Sequence, residues 1–363
     1  MSVCDRSLPY VRAIAPYQPG KPITQLSREM GIPVERIVKL ASNENPLGMS
    51  PKARAAVEAA MGTLERYPDD FPLKAAVAAH TGLPAERIVL GNGSNDLLDI
   101  AARVFLAPGR STIFSQHAFA VYSIASLTVG ADLIAVPAKD FGHDPDAMRA
   151  AVRPDTRLIW IANPNNPTGT FLPHARIGAF LRSLPGDVVV VLDEAYNEYL
   201  PVGVNGDSRD WLGEFPNLVI TRTFSKIYGL AGLRVGYALT SAEIADLMNR
   251  VRQPFNCNNL ALAAAAAALD DHEFVARSQQ LNRAGMEQLL DGFRRLGFDF
   301  IPSYGNFIAF RAGDAAAVNG ALLRQGVIVR PVAGYDMPEW LRVTIGTEAE
   351  NQRLLQALEV ARG

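Results

Sequence analysis

The 363-residue sequence has little of three things: cysteine, net charge and long apolar runs. Cys4 and Cys257 are its only cysteines, so neither a disulfide framework nor a cysteine metal site is expected. A formal net charge of −2 gives no general attraction to nucleic acid or anionic membranes. The longest apolar run, residues 260–269, is too short to span a bilayer, and the start of the chain lacks a secretory pattern. These features predict a soluble, cytoplasmic protein.

The chain is longer than one hydrophobic core usually serves, so two domains are expected. From about residue 86, short β-rich runs alternate with helical stretches such as 95–106, 144–151 and 173–183. This alternation is typical of a parallel sheet covered on both faces, and several runs are continuous Val, Ile and Leu. The predicted strands are 87–90, 111–114, 132–136, 157–161, 187–192, 218–221 and 234–239.

The character of the sequence changes after residue 241. Alanine- and leucine-rich helical segments run from about 243 to 296, and shorter strands are predicted at 307–310 and 341–345. These elements predict a second, smaller α/β domain. Four prolines near the start indicate an extended arm rather than a domain. The expected division is therefore an arm at 1–45 that packs with the small domain, a large domain at 46–250 and a small domain at 251–363.

Four motifs follow predicted strands, where an open α/β sheet presents its ligand crevice. The first is GNGSN at 91–95, in which glycines allow a tight bend and a helix start offers free N–H groups to an anion. By itself it is as consistent with an ordinary turn as with a phosphate cradle. The second is NPNNPTG at 163–169, whose prolines and glycine predict a rigid turn that holds Asn166. Taken alone, that motif favours a rigid surface loop.

The third motif, DEAY at 193–196, ends an apolar strand with Asp193. A carboxylate there needs compensation, which a protonated pyridine nitrogen or a helix N-cap would supply equally well. The fourth motif, TFSKIYGLAGLR at 223–234, places two hydroxyls, Lys226 and Arg234 together. Phosphate-type ligands and apolar neighbours favour a neutral, nucleophilic amine. Together the four motifs predict one site with an amine for an aldehyde, a carboxylate for a ring nitrogen and donors for a phosphate.

In these motifs the sequence resembles the class I/II aminotransferases and, within them, the histidinol-phosphate aminotransferases. The resemblance extends over nearly the whole chain, through PYQPGKP at 16–22, KLASNENPLG at 39–48, RYPD at 66–69 and LRVTIGT at 341–347. It implies a fold type I pyridoxal-phosphate enzyme with a mostly parallel seven-stranded sheet in the large domain. It also implies a homodimer with shared active sites.

The resemblance further implies a role for each matching residue. Lys226 would carry pyridoxal 5′-phosphate as a Schiff base and later move the proton between the substrate Cα and the cofactor. Asp193 would keep the pyridine nitrogen protonated, which makes the ring an electron sink. The remaining cofactor contacts would be Asn166 and Tyr196 at the phenolic oxygen, Ala195 beneath the ring, Phe119 stacked on it where some relatives have tyrosine, and Ser94, Asn95, Thr223, Ser225, Arg234 and the neighbouring subunit's Tyr67 at the phosphate. Ile227 replaces a residue that is commonly small.

For the substrate, the resemblance points to Tyr17, Asn45, Arg330 and Arg342. Arg342 matches the arginine that grips an α-carboxylate, and Arg330 matches a contact to a substrate phosphate; a surface arginine is the plain alternative for Arg330. The expected reaction is transfer of the amino group of histidinol phosphate to 2-oxoglutarate, in histidine biosynthesis. An aromatic amino-acid aminotransferase is the nearest competitor. A phosphothreonine decarboxylase and a non-catalytic cofactor-binding module are further alternatives.

Overall fold

A computed structural model describes residues 2–201, 203–204 and 206–362 of the chain. The strands of this described part, numbered in chain order, are β1 Val38–Lys39, β2 Ile88–Gly91, β3 Ser111–Ser115, β4 Asp132–Val136, β5 Thr156–Ala162, β6 Val189–Asp193, β7 Leu218–Thr223, β8 Gly236–Leu239, β9 Phe307–Arg311, β10 Val327–Ile328, β11 Arg330–Pro331 and β12 Trp340–Thr344.

The helices frame these strands. They are α1 Pro9–Arg12, α2 Ile23–Met30, α3 Pro51–Ala60, α4 Phe71–Thr81, α5 Ser94–Phe105, α6 Ala120–Thr128, α7 Pro145–Ala150, α8 His174–Ser183, α9 Ala242–Val251, α10 Asn259–Leu269, α11 His272–Leu296, α12 Ala315–Arg324 and α13 Glu348–Arg362. Short 3₁₀ turns connect several of them. Among the described residues, no helix combines the length and the apolar character that crossing a membrane requires.

The larger unit is built on a seven-stranded sheet in the order β2-β8-β7-β6-β5-β3-β4. Strand β8 is antiparallel to both of its neighbours, and the other pairs are parallel. Every residue of β6 and β7 is buried because helices cover both faces of the sheet. The predicted α/β class with a mostly parallel seven-stranded sheet is confirmed, and each predicted strand lies within two residues of an observed one.

The smaller unit contains the antiparallel sheet β11-β12-β9. Its core lies between this sheet and helices α11, α12 and α13. A segment from the start of the chain joins it, because β1 pairs in parallel with β10. The chain therefore crosses between the two units near residue 40, and the cleft between them is bordered by N-terminal as well as C-terminal residues.

Two features differ from the sequence-based expectation. The first 45 residues are not extended throughout, because α1 and α2 form there; α2 buries Leu26 and ends at Gly31 in the left-handed conformation that favours glycine. Helix α10 packs against α3 and α4, and its alanine face belongs to the core of the larger unit. We therefore propose a domain boundary after Leu269 rather than at residue 250.

Close packing of α11 on α13 depends on Gly292. A Cβ added at this position would lie 2.3 Å from Leu355 Cδ2, well inside contact distance. Over-packing costs roughly 1–3 kcal/mol, which outweighs the gain of up to about 1 kcal/mol in helix propensity. Gly292→Ala should therefore lower the free energy of unfolding by about 1 kcal/mol, measured by urea denaturation.

Gly320 in α12 is the matched control, since the nearest atom to an added Cβ is 3.6 Å away, on the flexible Arg324 side chain. Gly320→Ala should be neutral or stabilising by up to about 1 kcal/mol. Equal effects of the two substitutions would contradict the packing that we describe.

Candidate active site

One cavity of about 250 Å³ lies at the carboxyl edge of the large sheet. Ala162, Asp193 and Thr223 are the last residues of β5, β6 and β7, and all three line it. Parallel strands present their carboxyl ends at one edge, which is where ligands bind in open α/β sheets. Arg330 and Arg342, from β11 and β12, line the opposite side. The cavity is therefore enclosed by both units.

Fourteen of the sixteen predicted site residues line this one cavity, although they come from eight separate parts of the sequence. They are Tyr17, Ser94, Asn95, Phe119, Asn166, Asp193, Ala195, Tyr196, Thr223, Ser225, Lys226, Arg234, Arg330 and Arg342. The individual roles of these residues stay predictions, and their convergence is the observation on which the proposals below depend.

One end of the cavity is suited to an anion. Helix α5 begins at Ser94, directly after Gly93, which has a φ of +80°. A Cβ on Gly93 would lie 2.4 Å from Arg234 Nη2, so only glycine lets the guanidinium approach this turn. Arg234 Nη1 donates to Ser225 Oγ at 3.3 Å. The start of α5, the Arg234 guanidinium and the Ser225 hydroxyl thus line the same end of the cavity.

Asp193 lies deeper in the cavity and is only 6% exposed. Its Oδ2 accepts a hydrogen bond from the Tyr122 hydroxyl at 2.9 Å, and its Oδ1 accepts one from Thr221 Oγ1 at 3.1 Å. Burial raises the pKa of Asp193 above its ordinary value. Asp193 is not a helix N-cap, because the next helical turn has Tyr196 at its cap position. Both of its donors are neutral, so a cation in the cavity would be stabilised here.

Lys226 extends into the cavity from the loop after β7. Its Nζ donates to the backbone oxygen of Ser42 at 3.1 Å and lies 5.7 Å from the centre of the Tyr196 ring. Burial, together with the positive charge of Arg342, lowers the pKa of Lys226 to about 7. A large fraction of the amine is therefore neutral near neutral pH and able to act as a nucleophile.

Two polar side chains are fixed near Lys226. The Tyr196 hydroxyl accepts a hydrogen bond from Asn43 Nδ2 at 2.9 Å, which leaves its own proton free to be donated to a ligand. Asn166 Oδ1 accepts a hydrogen bond from Arg342, whose other terminal nitrogen donates to the Ala41 oxygen at 2.7 Å. These contacts join the large domain, the small domain and the segment between β1 and α3 at the cavity wall.

A second positive end lies on the small sheet. Arg330 and Arg342 are directly opposite each other in the β11–β12 pair, so the two charged side chains share one face of the sheet. Like charges in this arrangement destabilise a sheet unless an anion compensates them. Arg330 also lies over the Tyr17 ring, with 5.5 Å from Cζ to the ring centre. Arg342 Nε is buried and has no hydrogen-bond partner among the described residues.

Two predicted residues lie outside the cavity lining. Tyr67 is 80% exposed and stacks on Phe255, with the ring centres 4.5 Å apart. Asn45 is buried, and its Nδ2 donates to the Ile227 oxygen at 2.7 Å and to Ser278 Oγ at 2.9 Å. Asn45 therefore supports the loop that carries Lys226, and its role in substrate binding stays a prediction.

The sequence reasoning missed several residues of the site. Tyr122 and Thr221 bond Asp193, and Asn43 bonds Tyr196. Tyr122 comes one helical turn after Phe119, a spacing that could have marked it. The side chain of Ile227, to which no consequence was assigned, is fully buried in the core of the larger unit.

The family described as aminotransferase class I and II matches residues 35–358. This range contains the seven-stranded sheet, the three-stranded sheet and all the residues that line the cavity except Tyr17 and Gly20. The chain belongs to this family.

Individual relatives give a finer comparison. A protein of Dechloromonas aromatica named histidinol-phosphate aminotransferase 1 is 70% identical over 361 residues, covering 99% of this chain and 100% of that relative. Histidinol-phosphate aminotransferase 2 of Nitrosospira multiformis is 58% identical over 99% of this chain and 93% of its own. The crystal structure of histidinol-phosphate aminotransferase from Sinorhizobium meliloti in complex with pyridoxal-5′-phosphate superposes with a TM-score of 0.91 at 29% identity, covering 98% of both chains.

The lowered pKa of Lys226 predicts an unusual reactivity. In the ligand-free chain, labelling of its peptide by an amine-specific acylating reagent should be half-maximal near pH 7, because burial favours the neutral amine. Mass spectrometry of the peptide across a pH series provides the measurement. The same peptide in urea-unfolded protein is the control and should titrate near the ordinary lysine value of about 10.4. Equal midpoints in the two states would contradict the assigned environment.

Proposed function

We propose that the chain is a pyridoxal-phosphate-dependent aminotransferase that moves the amino group of histidinol phosphate to 2-oxoglutarate. The products are imidazole acetol phosphate and glutamate, and the reaction belongs to histidine biosynthesis. The family match and the names of relatives at 58–70% identity over almost the full chain support this proposal. The observation that carries it is that one cavity is lined by Arg234, Arg330 and Arg342 together with Lys226 and Asp193.

The residues present fit pyridoxal phosphate. The close approach of Arg234 to the glycine turn at Gly93 leaves a cradle for the cofactor's phosphate at the start of α5. Asp193 would face the ring nitrogen, and its buried charge would favour the protonated form of that nitrogen. Asn166 and Tyr196 would donate to the phenolic oxygen, and Phe119 would cover one face of the ring. When bound, the cofactor supplies an electron sink for the carbanion that forms at the substrate Cα.

The chain's own side chains would carry the proton transfers and the positioning. The Lys226 amine, neutral in part near pH 7, would hold the cofactor and would take the proton from the substrate Cα. The Tyr196 hydroxyl accepts a hydrogen bond from Asn43, so its own proton would be available to the cofactor's ring oxygen. Arg342, anchored on Asn166 and Ala41, holds a fixed guanidinium for an acidic group of either substrate. Binding across both units also excludes water from the reacting centre.

The pair formed by Arg330 and Arg342 supports the substrate assignment. A phosphate dianion would relieve the repulsion between two guanidinium groups that lie opposite each other on the sheet. Histidinol phosphate carries such a group at the end distant from its amine. The γ-carboxylate of glutamate, the product amino acid, can occupy the same place with a smaller charge. Phenylalanine and tyrosine offer no distal anion, so the arginine pair does not favour the aromatic alternative.

Assembly into a homodimer with shared active sites is part of the proposal. Five large apolar side chains of the same region are exposed, which is unusual for a monomer's surface. They are Met61, Leu64, Tyr67, Phe71 and Phe255, between 50% and 80% exposed. Tyr67, the residue expected at the neighbour's cofactor phosphate, stacks on Phe255 within this set. A second copy of the chain that covers these side chains would bring Tyr67 to its site.

We also propose that the enzyme works in the cytoplasm. Cys4 and Cys257 are both free thiols, which is in keeping with a reducing compartment.

The substrate assignment predicts a selective effect of Arg330. Arg330→Gln should lower kcat/KM for histidinol phosphate by about 30- to 1,000-fold, because a phosphate loses a charge-assisted hydrogen bond worth roughly 2–4 kcal/mol. The decrease in kcat/KM should be smaller for glutamate and smallest for phenylalanine and tyrosine. Steady-state kinetics with the four amino donors provide the comparison.

Arg311→Gln is the matched control, since Arg311 lies on the same small sheet but pairs with Glu339 at the surface. It should leave all the specificity constants close to wild type. The aromatic aminotransferase would be favoured instead if the wild type preferred tyrosine or phenylalanine and Arg330→Gln lowered kcat/KM equally for every donor.

The shared site predicts complementation between inactive subunits. Lys226→Ala and Tyr67→Ala subunits should regain activity when unfolded together and refolded, because each mixed dimer contains one complete site. Random assortment predicts about a quarter of the wild-type rate. The control is a mixture of Lys226→Ala with Asp193→Ala; both residues line the cavity of one chain, so no mixed dimer has a complete site. A fully active monomer, or equal results from the two mixtures, would contradict the dimer proposal.

A further inference from the structure

Tyr122 is a residue outside the predicted set that contacts the centre of the cavity. It lies in α6 and is completely buried, yet it carries a phenolic hydroxyl. Burying a hydroxyl without a partner is costly, and the partner of this one is the Asp193 carboxylate, 2.9 Å from the phenolic oxygen. Tyr122 is thus held at Asp193 by the same hydrogen bond that stabilises the carboxylate.

Each oxygen of the carboxylate accepts a hydrogen bond from a side chain, and the backbone of Ala195 also stabilises the charged form. Tyr122 bonds Oδ2 and Thr221 bonds Oδ1, from an α-helix and from the neighbouring strand β7 respectively. Two donors on opposite oxygens fix the rotation of the carboxylate plane about the Cβ–Cγ bond. A carboxylate held in this way faces the cavity in a single orientation, before any ligand binds.

The ring of Tyr122 is itself fixed by packing. It stacks on Trp160 of β5 with 5.2 Å between ring centres and an interplanar angle of 5°. Its other neighbour is Phe119, which meets it edge-on at 5.9 Å and lines the cavity. The packed rings of Tyr122, Trp160 and Phe119 therefore fix both Phe119 in the cavity wall and the hydroxyl that donates to Asp193.

We propose that Tyr122 is a positioning residue, whose hydroxyl holds the Asp193 carboxylate in the orientation that faces the cofactor's ring nitrogen. This inference rests on the cofactor named under Proposed function and is independent of the amino donor. It assigns to Tyr122 no contact with the substrate or with the reacting atoms.

If Tyr122 served only to pack the core, removal of its hydroxyl would leave the pH dependence of cofactor binding unchanged. The hydrogen bond from Tyr122 favours the charged carboxylate and so opposes the rise in the pKa of Asp193 that burial causes. Without this bond the pKa of Asp193 rises further, and the carboxylate becomes neutral at a higher pH. The other titratable groups whose charges act on Asp193 are Glu194 beside it, Tyr196 and Lys226, and all of them are retained when the Tyr122 hydroxyl is removed.

Tyr122→Phe removes the hydroxyl and keeps the ring on Trp160. Fluorescence titration of the full-length apo chain with pyridoxal phosphate should show an about 10- to 100-fold higher Kd at pH 7.5, the effect of one hydrogen bond to a charged group. As the pH falls, cofactor affinity should be lost at a higher pH in the variant than in the wild type. The titration of the cofactor phosphate is common to both proteins and cancels in this comparison.

Trp160→Phe is the control for packing, because Trp160 Nε1 has no hydrogen-bond partner in the described part of the chain. The substitution keeps an aromatic ring against Tyr122 and leaves the Tyr122 hydroxyl in place. It should therefore lower Tm and change the Kd and the pH midpoint much less than Tyr122→Phe does. Only folded protein binds the cofactor. The pH midpoint of the loss of affinity can therefore still be measured if Tyr122→Phe also lowers Tm. Thr221→Val removes the donor to the other oxygen and should move the midpoint in the same direction.

Unchanged Kd and midpoint in Tyr122→Phe would overturn the proposal, and so would equal shifts in Tyr122→Phe and Trp160→Phe. Failure of the wild-type chain to bind pyridoxal phosphate would instead contradict the proposed function. The two negative results can therefore be told apart.

Discussion

The Asp193 carboxylate is the charge on which the rest of the cavity depends. It stands at the end of β6, in a sheet buried on both faces, where an uncompensated charge would be strongly unfavourable. Neutral donors from Tyr122 and Thr221 stabilise the charge only in part, since burial still raises the pKa of Asp193. A protonated ring nitrogen would complete the compensation. The binding of such a ligand is therefore favoured by the electrostatics of the fold itself.

Two groups of positive charge lie on either side of this carboxylate. Arg234 and the start of α5 form one, on the large domain, and Arg330 with Arg342 forms the other, on the small sheet. A phosphate of the cofactor at the first group and an acidic group of the substrate at the second would compensate both. The same charges keep the Lys226 amine partly neutral, because Arg342 adds to the effect of burial on its pKa.

Much of this arrangement could be predicted from the sequence, since local patterns determine it. Buried parallel strands are runs of Val, Ile and Leu, and the motifs that follow them must meet at one edge of the sheet; Asp193, Asn166 and Lys226 were found in this way. Contacts between distant segments leave no local pattern. The bond from Tyr122 to Asp193, the support of Ile227 by Asn45, and the packing of α10 on α3 all depend on tertiary structure. They explain why these residues were missed and why the domain boundary that we propose differs from the one expected from the sequence.

The central claim is that Lys226 carries pyridoxal phosphate in this cavity. Reduction of the purified, cofactor-loaded protein with sodium borohydride, followed by proteolysis and mass spectrometry, tests it most directly. The visible absorption of the protein should be lost, and a single peptide should gain the mass of a pyridoxyl phosphate group, on Lys226. A label on Lys39, on Lys52 or on no lysine would contradict it.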